Sequence, residues 1–221
     1  MKILSVRHGF LADHSSTSYE FLAVDKPLDT AARAAVGRLS SRVLPTSRRA
    51  SFIYHVEGYD IPGGWGALMA EHYDVMYSES YDWWTLSVAF PTTDHDLVET
   101  IRAYAFQGVE ELGVDVAYEN NRVIVSIECR LDVGQLHHSG YYEDEWHEDE
   151  ETDPDADFVV VDDSLLDLLM RVREQLRQGD CQTLYAVWET YRDGGEGPPA
   201  PGKTPTGATV AAELASLLAS E

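Results

Sequence analysis

One segment of the chain predicts paired β-strands more clearly than any other: Val114-Asp115-Val116-Ala117-Tyr118-Glu119-Asn120-Asn121-Arg122-Val123-Ile124-Val125-Ser126-Ile127. Both of its ends are rich in β-branched residues, which favour strands. Between them lies Asn120-Asn121, and asparagine tolerates the positive φ angles of a tight hairpin turn. The segment therefore predicts a β-hairpin, so at least part of the fold is a sheet.

On the N-terminal side of this hairpin, short strands alternate with helices. Strands are predicted at residues 3–6, 19–24, 52–56 and 84–90. Helices are predicted from Asp29 to about Ser40, from the turn 61–64 through Tyr77, and from Asp94 to Phe106. The alternation predicts an α+β or α/β domain over residues 1–133. Its mixed sheet should have five or six strands, with a ferredoxin-like arrangement as the simplest model.

The rest of the chain divides by composition. Residues 134–162 are predicted to form an acidic loop, and the apolar spacing in residues 163–193 predicts a helical hairpin packed on the sheet domain. Residues 194–207 contain five Gly and four Pro, which predicts a linker without regular structure. Residues 208–221 then form a short tethered helix that either folds back or binds something else.

Charge is distributed very unevenly along the sequence. Residues 141–167 hold 13 Asp and Glu and no Lys or Arg, whereas residues 1–50 hold 8 Lys and Arg against 4 acidic residues. The net charge of −23 argues against direct binding to nucleic acid or to an anionic membrane, because like charges repel. We expect a basic protein as the partner.

The cysteines and the apolar segments bear on location. The chain has two cysteines, Cys129 and Cys181, too few to suggest a disulfide scaffold, and we interpret both as reduced thiols. The apolar stretch at the N-terminus is too short for a signal peptide, and no apolar run reaches the length of a membrane span. These features predict a cytoplasmic protein, and nothing in the sequence indicates a cofactor.

A first catalytic alternative rests on Arg7-His8-Gly9, directly after the predicted first strand. This tripeptide resembles the signature that opens histidine phosphatases and phosphoglycerate mutases. The resemblance implies His8 as the phosphoryl acceptor, Arg7 as a phosphate clamp, and Arg48 or Arg49 as a second clamp, with His138 in the later histidine position. Phe10-Leu11-Ala12 departs from the family pattern, however, and we favour a structural histidine at a strand end as the explanation of His8.

A second alternative is a metal site in the acidic region, where His137, His138 and His147 stand among carboxylates. Imidazole and carboxylate are ligands for zinc, manganese or calcium, but no spaced metal motif is present. A solvated acidic loop explains the same residues. Its aromatic side chains are suited to contact a basic groove of a partner. We therefore assign partner binding, with simple solubilisation as the alternative, to this group: Tyr141, Tyr142, Glu143, Asp144, Glu145, Trp146, Glu148, Asp149 and Glu150.

Three further groups have structural interpretations. Tyr73 and Tyr77 are predicted to share a helix face with Met69 in an aromatic core. Asp94, in Asp94-His95-Asp96, is assigned as a helix cap rather than part of a metal site. The arginines of the first helix and the following loop form either a solvated basic face or, as we favour, an internal counterpart to the acidic loop: Arg33, Arg38, Arg42, Arg48 and Arg49.

Short sequence motifs spread over residues 18–190 carry a resemblance to a second protein family. They are Ser18-Tyr19-Glu20-Phe21, Ala23, Asp25, Lys26-Pro27-Leu28, Leu39-Ser40-Ser41-Arg42-Val43, Tyr73-Asp74, Trp83-Trp84-Thr85-Leu86, Gly179-Asp180, Leu184-Tyr185 and Trp188. In this order they resemble a family of uncharacterised bacterial proteins whose genes are associated with SWIM zinc-finger proteins. The resemblance implies no established activity, and its emphasis on aromatic and turn residues suits a scaffold with a recognition surface.

Together these features favour a non-enzymatic acidic adaptor that binds a basic protein, with charge mimicry of nucleic acid as one mode of binding. A phosphohydrolase or phosphomutase built on His8 and a metal-dependent hydrolase built on residues 137–150 remain the alternatives.

Overall fold

The computed structural model describes residues 17–41, 43, 45–54, 61–80, 83–132, 164–194 and 196–219. In this part of the chain, seven strands form one antiparallel sheet, and six α-helices pack around it. The fold is therefore α+β, as predicted. The sheet has seven strands rather than five or six, because β3 and the short β5 were not predicted and the predicted strand at residues 3–6 lies outside the described residues.

The strands are β1 (Thr17–Leu22), β2 (Arg49–Tyr54), β3 (Val75–Ser80), β4 (Trp83–Pro91), β5 (Phe106–Gln107), β6 (Gly113–Glu119) and β7 (Arg122–Cys129). The helices are α1 (Thr30–Gly37), α2 (Gly64–Glu71), α3 (His95–Arg102), α4 (Ser164–Arg177), α5 (Gln182–Tyr191) and α6 (Pro205–Leu217). Helices α4 and α5 occupy the range in which the helical hairpin was predicted.

The spatial order of the strands is β2-β1-β3-β4-β7-β6-β5, and each neighbouring pair is antiparallel. This order does not confirm a ferredoxin-like arrangement. Helix α1 joins β1 to β2, which are antiparallel neighbours rather than the two halves of a split βαβ unit.

The hairpin predicted at residues 114–127 is confirmed as β6 and β7. Glu119 pairs with Arg122, and the two residues between them adopt left-handed backbone angles, with φ of 51° at Asn120 and 59° at Asn121. Positive φ at both central residues is the condition for the two-residue turn that matches the twist of the flanking strands.

The helix predicted to run through Tyr77 is wrong. Helix α2 ends at Glu71, and Tyr77 lies in β3 between β1 and β4. Tyr73 and Tyr77 therefore share no helix face, although both are buried. Apolar residues at helical spacing continue past Glu71, but pairing with strands on both sides satisfies the backbone of Val75–Ser80, and this tertiary context outweighs local propensity.

The sheet buries apolar side chains on both faces. The larger core joins strand residues such as Leu86 and Val125 to helices α3 to α6. The smaller core joins residues of the opposite face, such as Phe21 and Ile124, to α1 and α2. Period-two alternation along the strands produces the two sets, since neighbouring side chains point to opposite faces.

The C-terminal helix docks on its own chain. Helix α6 packs against α5, and its Val210 and Leu214 are part of the larger core. Arg171 of α4 forms an ion pair with Glu213 of α6, and Leu218 forms a β-bridge with Leu131 after β7. The Gly/Pro segment before α6 therefore connects α5 to a helix that packs on the same chain.

Replacing Leu214 with Ala tests this docking. Leu214 is fully buried, so the substitution removes core contacts and should lower the free energy of unfolding by about 2–5 kcal/mol. Ala212 is exposed on the same helix, and Ala212→Ser is the matched control with little expected effect. Urea denaturation measures both; equal stability of Leu214→Ala and wild type would contradict docking of α6 in solution.

Candidate functional site

A buried carboxylate lies where four parts of the chain meet. Asp74, between α2 and β3, is 3 % exposed. Its Oδ2 accepts hydrogen bonds from the backbone N–H groups of Val24 and Asp25, at 2.7 and 3.0 Å. Its Oδ1 accepts from Nη2 of Arg122 at 2.8 Å and is 3.4 Å from Nη2 of Arg173. Four donors from the β1–α1 loop, β7 and α4 thus satisfy one side chain.

Arg173 carries this network into the helical layer. It lies on α4, is 2 % exposed, and donates from Nε to the carbonyl of Ala89 at 2.7 Å. Its Nη2 also donates to Asp25, whose second oxygen is 3.4 Å from Arg177. Burial alone would raise the pKa of Asp25, but the hydrogen bond from Arg173 and the charge of the guanidinium outweigh it, so the pKa lies below its usual value.

Arg122 is the second cation of the network. Its Nε donates to the carbonyl of Met69 at 3.1 Å, and its Nη2 donates to the carbonyl of Tyr73 at 2.8 Å in addition to Asp74. Two of its three nitrogens are therefore held by the end of α2 and the residues that follow it. Such anchoring fixes the guanidinium plane, because the donors of arginine form a rigid fork.

A cavity of about 280 Å³ opens beside Asp74 and Arg122. It is lined by the loop before α1, by the first turn of α1 and by the end of α2: Asp25, Lys26, Pro27, Leu28, Asp29, Ala32, Glu71, His72, Asp74 and Arg122. Charges of both signs line it. We refer to this cavity as the Asp74 pocket.

Two other carboxylates lie in the sheet on opposite faces. Glu79 of β3 pairs with Trp84, whose side chain belongs to the larger core, and burial raises the pKa of Glu79 to about 7. Glu128 of β7 accepts a hydrogen bond from Oγ1 of Thr85 at 2.8 Å; burial raises its pKa although this bond opposes the shift. Because they lie on opposite faces, the two groups do not form an acid–base pair.

The described residues offer no nucleophile or metal centre of the predicted kinds. Cys129 and Cys181 are free thiols, as predicted, and burial raises the pKa of both, that of Cys181 to about 12. No group of three or more His, Cys, Asp or Glu within the described ranges is placed to hold a metal ion. None of the helices in those ranges has the length and apolar content needed to cross a membrane.

Most of the site residues proposed from the sequence lie outside the described residues. These are Arg7, His8, His137, His138, His147, Tyr141, Tyr142, Glu143, Asp144, Glu145, Trp146, Glu148, Asp149 and Glu150. Arg49 is described: it begins β2, opposite Leu22 of β1. The neighbouring Arg48 donates from Nη1 to the carbonyls of Ala23 and Val24, both at 2.8 Å. Its expected pairing with the acidic loop stays a prediction, because that loop lies outside the described residues.

The structure decides the interpretation of Asp94-His95-Asp96. Oδ1 of Asp94 accepts hydrogen bonds from the N–H groups of Asp96 and Leu97, so Asp94 caps α3 as predicted. The ring of His95 lies edge-on to Tyr118, with 5.8 Å between the ring centroids.

The interpretation of the sequence missed the network around Asp74, although two signals were present. Arg173 interrupts an otherwise apolar helix stripe, seven residues after Leu166 and three before Leu176. A charge in such a position is buried only with a partner. Asp74 directly precedes a strand, where it can accept hydrogen bonds from another loop, but the mistaken extension of α2 concealed it.

Comparison with protein-family models, with curated proteins and with solved structures gives no match for this chain. The resemblance to a bacterial family described above therefore stays a prediction. Within that resemblance, the motifs Asp25, Lys26-Pro27-Leu28 and Tyr73-Asp74 fold together around the Asp74 pocket, although they are far apart in sequence.

Replacing Asp74 with Asn tests whether the network holds the fold together. The substitution leaves the buried Arg173 and the partly buried Arg122 with less compensation, and we expect a loss of about 3–5 kcal/mol in the free energy of unfolding. Glu213→Gln is the matched control, because it removes the carboxylate from the half-exposed pair with Arg171 and should cost less than about 1 kcal/mol. Urea denaturation at constant salt compares them; similar losses for the two variants would refute the assignment.

Glu79 predicts a specific dependence of stability on pH. Its pKa is about 7 in the folded protein against an ordinary value of 4.5, so the folded state keeps a proton that the unfolded state releases between these values. Its contribution to stability therefore falls as pH rises from 4.5 to 7 and stays low above. Glu79→Gln removes this dependence and should be more stable than wild type at alkaline pH by about 1–2 kcal/mol, a value reduced for partial exposure, but not at acidic pH.

The control for this experiment is Glu119→Gln, a change at an exposed carboxylate at the end of β6. Denaturation curves on both sides of neutral pH give the free-energy differences. A difference between Glu79→Gln and wild type that is the same at both pH values would show that the carboxyl group does not titrate as described.

Proposed function

We propose that this protein is a non-enzymatic interaction protein that binds a basic protein partner through its acidic segment, residues 141–157. The observation that carries the proposal is the commitment of positive charge inside the folded part of the molecule. Six arginines form ion pairs with carboxylates of the described residues: Arg102, Arg122, Arg130, Arg171, Arg173 and Arg177.

These ion pairs determine which charges are left for a partner. Residues 133–163 contain 12 Asp and Glu and no Lys or Arg, which is about half of the net charge of −23. An arginine whose charge is already compensated by one carboxylate attracts a second carboxylate less strongly. The acidic segment is therefore best neutralised by cations from another molecule, and a Lys- and Arg-rich protein surface supplies them.

The folded domain anchors the chain on both sides of this segment. On its N-terminal side, the N–H of Asp132 donates to the carbonyl of Leu217 at 2.8 Å, next to the bridge between Leu131 and Leu218. On its C-terminal side, Ser164 begins α4, which is anchored through the buried Arg173. The described residues that flank the segment are therefore fixed to the folded domain, and the concentrated charge of the segment speeds association with an oppositely charged partner.

The same charge balance disfavours nucleic acid as a direct ligand. A nucleic-acid interface requires several cations that can neutralise phosphates, and six of the arginines already have carboxylate partners. We place the protein in the cytoplasm, a proposal supported by the free thiols of Cys129 and Cys181.

Deleting residues 141–157 tests this function. The tagged full-length protein and the deletion variant are used to capture partners from the native cells at low and at moderate salt, followed by mass spectrometry. We expect the full chain to retain a basic protein at low salt and to lose it as salt screens the charges, and we expect the deletion variant to retain none. Unfolding curves of the two proteins should match, because the deletion variant retains every residue of the two described cores.

Two matched variants separate charge from sequence in this experiment. Changing Glu and Asp of the segment to Gln and Asn keeps its length and should abolish capture. Changing Tyr141, Tyr142 and Trp146 to Ser keeps every charge and should weaken capture several-fold, because aromatic anchors contribute to the affinity at interfaces. Retention of the same partner by the deletion variant would refute the proposal.

A further inference from the structure

Three of the four carboxylates that line the Asp74 pocket are engaged by the protein's own donors, and the fourth, Glu71, is exposed beside His72. Both oxygens of Asp74 are filled by four donors, and both oxygens of Asp25 lie against Arg173 and Arg177. Asp29 accepts from the N–H of Ala32 and so caps α1. Among these three carboxylates, none is left open to a cation by the described residues.

In contrast, the cationic side chains of the pocket keep donor atoms that form no hydrogen bond with a described residue. Arg122 uses Nε and Nη2, and its Nη1 makes no hydrogen bond to any described residue. Lys26 is exposed and forms no ion pair within the described ranges. The pKa of Asp29 is lowered mainly by the hydrogen bond from the helix amide of Ala32, with smaller contributions from Lys26 and His72. His72 is 3.7 Å from the exposed Glu71, beyond the length of a hydrogen bond.

One of these donors, Arg122, is held in place before any ligand arrives. Its guanidinium is fixed by the carbonyls of Met69 and Tyr73. The backbone N–H of His72, at the end of α2, is bonded to the carbonyl of Leu68. A donor that needs no ordering on binding loses less entropy, which favours affinity for a small ligand.

From this arrangement we infer that the Asp74 pocket binds a small molecule through an oxyanion group, a carboxylate or a phosphate, with Lys26, His72 and Nη1 of Arg122 as its donors. The volume of about 280 Å³ equals that of about nine water molecules, so it accommodates a small organic body as well as the anion. The N-terminus of α1 is not part of the site, because Asp29 already occupies its amide. This inference uses no residue of the acidic segment, so its test is separate from the test of partner binding.

The test is a titration of the full-length protein with inorganic phosphate and with acetate, at ionic strength held constant with sodium chloride. NMR follows the Nε–H signal of Arg122 and the ring signals of His72. We expect saturable shifts at these two side chains with at least one anion. The anion that binds more tightly identifies the group on the ligand: phosphate indicates a phosphorylated molecule, and acetate indicates a carboxylic acid.

Two exposed lysines provide the matched variants. Lys26→Gln should weaken binding about three- to tenfold, because one charged donor is lost. Lys203→Gln removes a charge from an exposed position outside the pocket and should leave the affinity unchanged. Absence of saturable shifts at Arg122 and His72 with both anions would overturn the inference. Equal weakening by the two variants would also overturn it, since it would indicate non-specific charge attraction.

Discussion

The charge of Asp74 is the constraint on which the rest of the structure depends. A carboxylate that is 3 % exposed is tolerated only when its oxygens are fully hydrogen-bonded and its charge is matched. The loop after β1, the start of β7 and the helix α4 each contribute a donor to it. Because one side chain requires all three, it fixes how the helical layer sits on the sheet and how the loop before α1 turns.

Local signals in the sequence predicted the elements that depend on neighbouring residues. Asp29 and Asp94 cap their helices as predicted, and Asn120-Asn121 form the predicted turn. Interactions between distant residues were not predictable in this way. Strand β3 has the apolar spacing of a helix but is held by hydrogen bonds to β1 and β4, and β5 is only two residues long and pairs with β6.

The candidate site also combines residues that local sequence predicts with contacts that it does not. Lys26 and Asp29 are exposed residues of a loop and a helix cap, and the neighbouring sequence predicts these positions. Asp74, Arg122 and Arg173 meet only after the sheet has formed, at sequence separations of 48 and 99 residues from Asp74. Sequence periodicity does not predict these contacts, and the two local signals are a charge on the apolar stripe of α4 and a carboxylate directly before β3.

A donor-rich pocket and a net charge of −23 are compatible in one chain, because they act over different distances. Screening at physiological salt limits the influence of a distant exposed charge to about 8 Å, so the sign of the ligand in a small pocket is set by the groups that line it. The proposed protein partner instead covers many charges at once, and we expect it to bind at the dense acidic segment. In the pocket, arginines and helix amides engage three of the four carboxylates, which leaves Lys26, His72 and Arg122 able to bind an anion although the chain as a whole attracts cations.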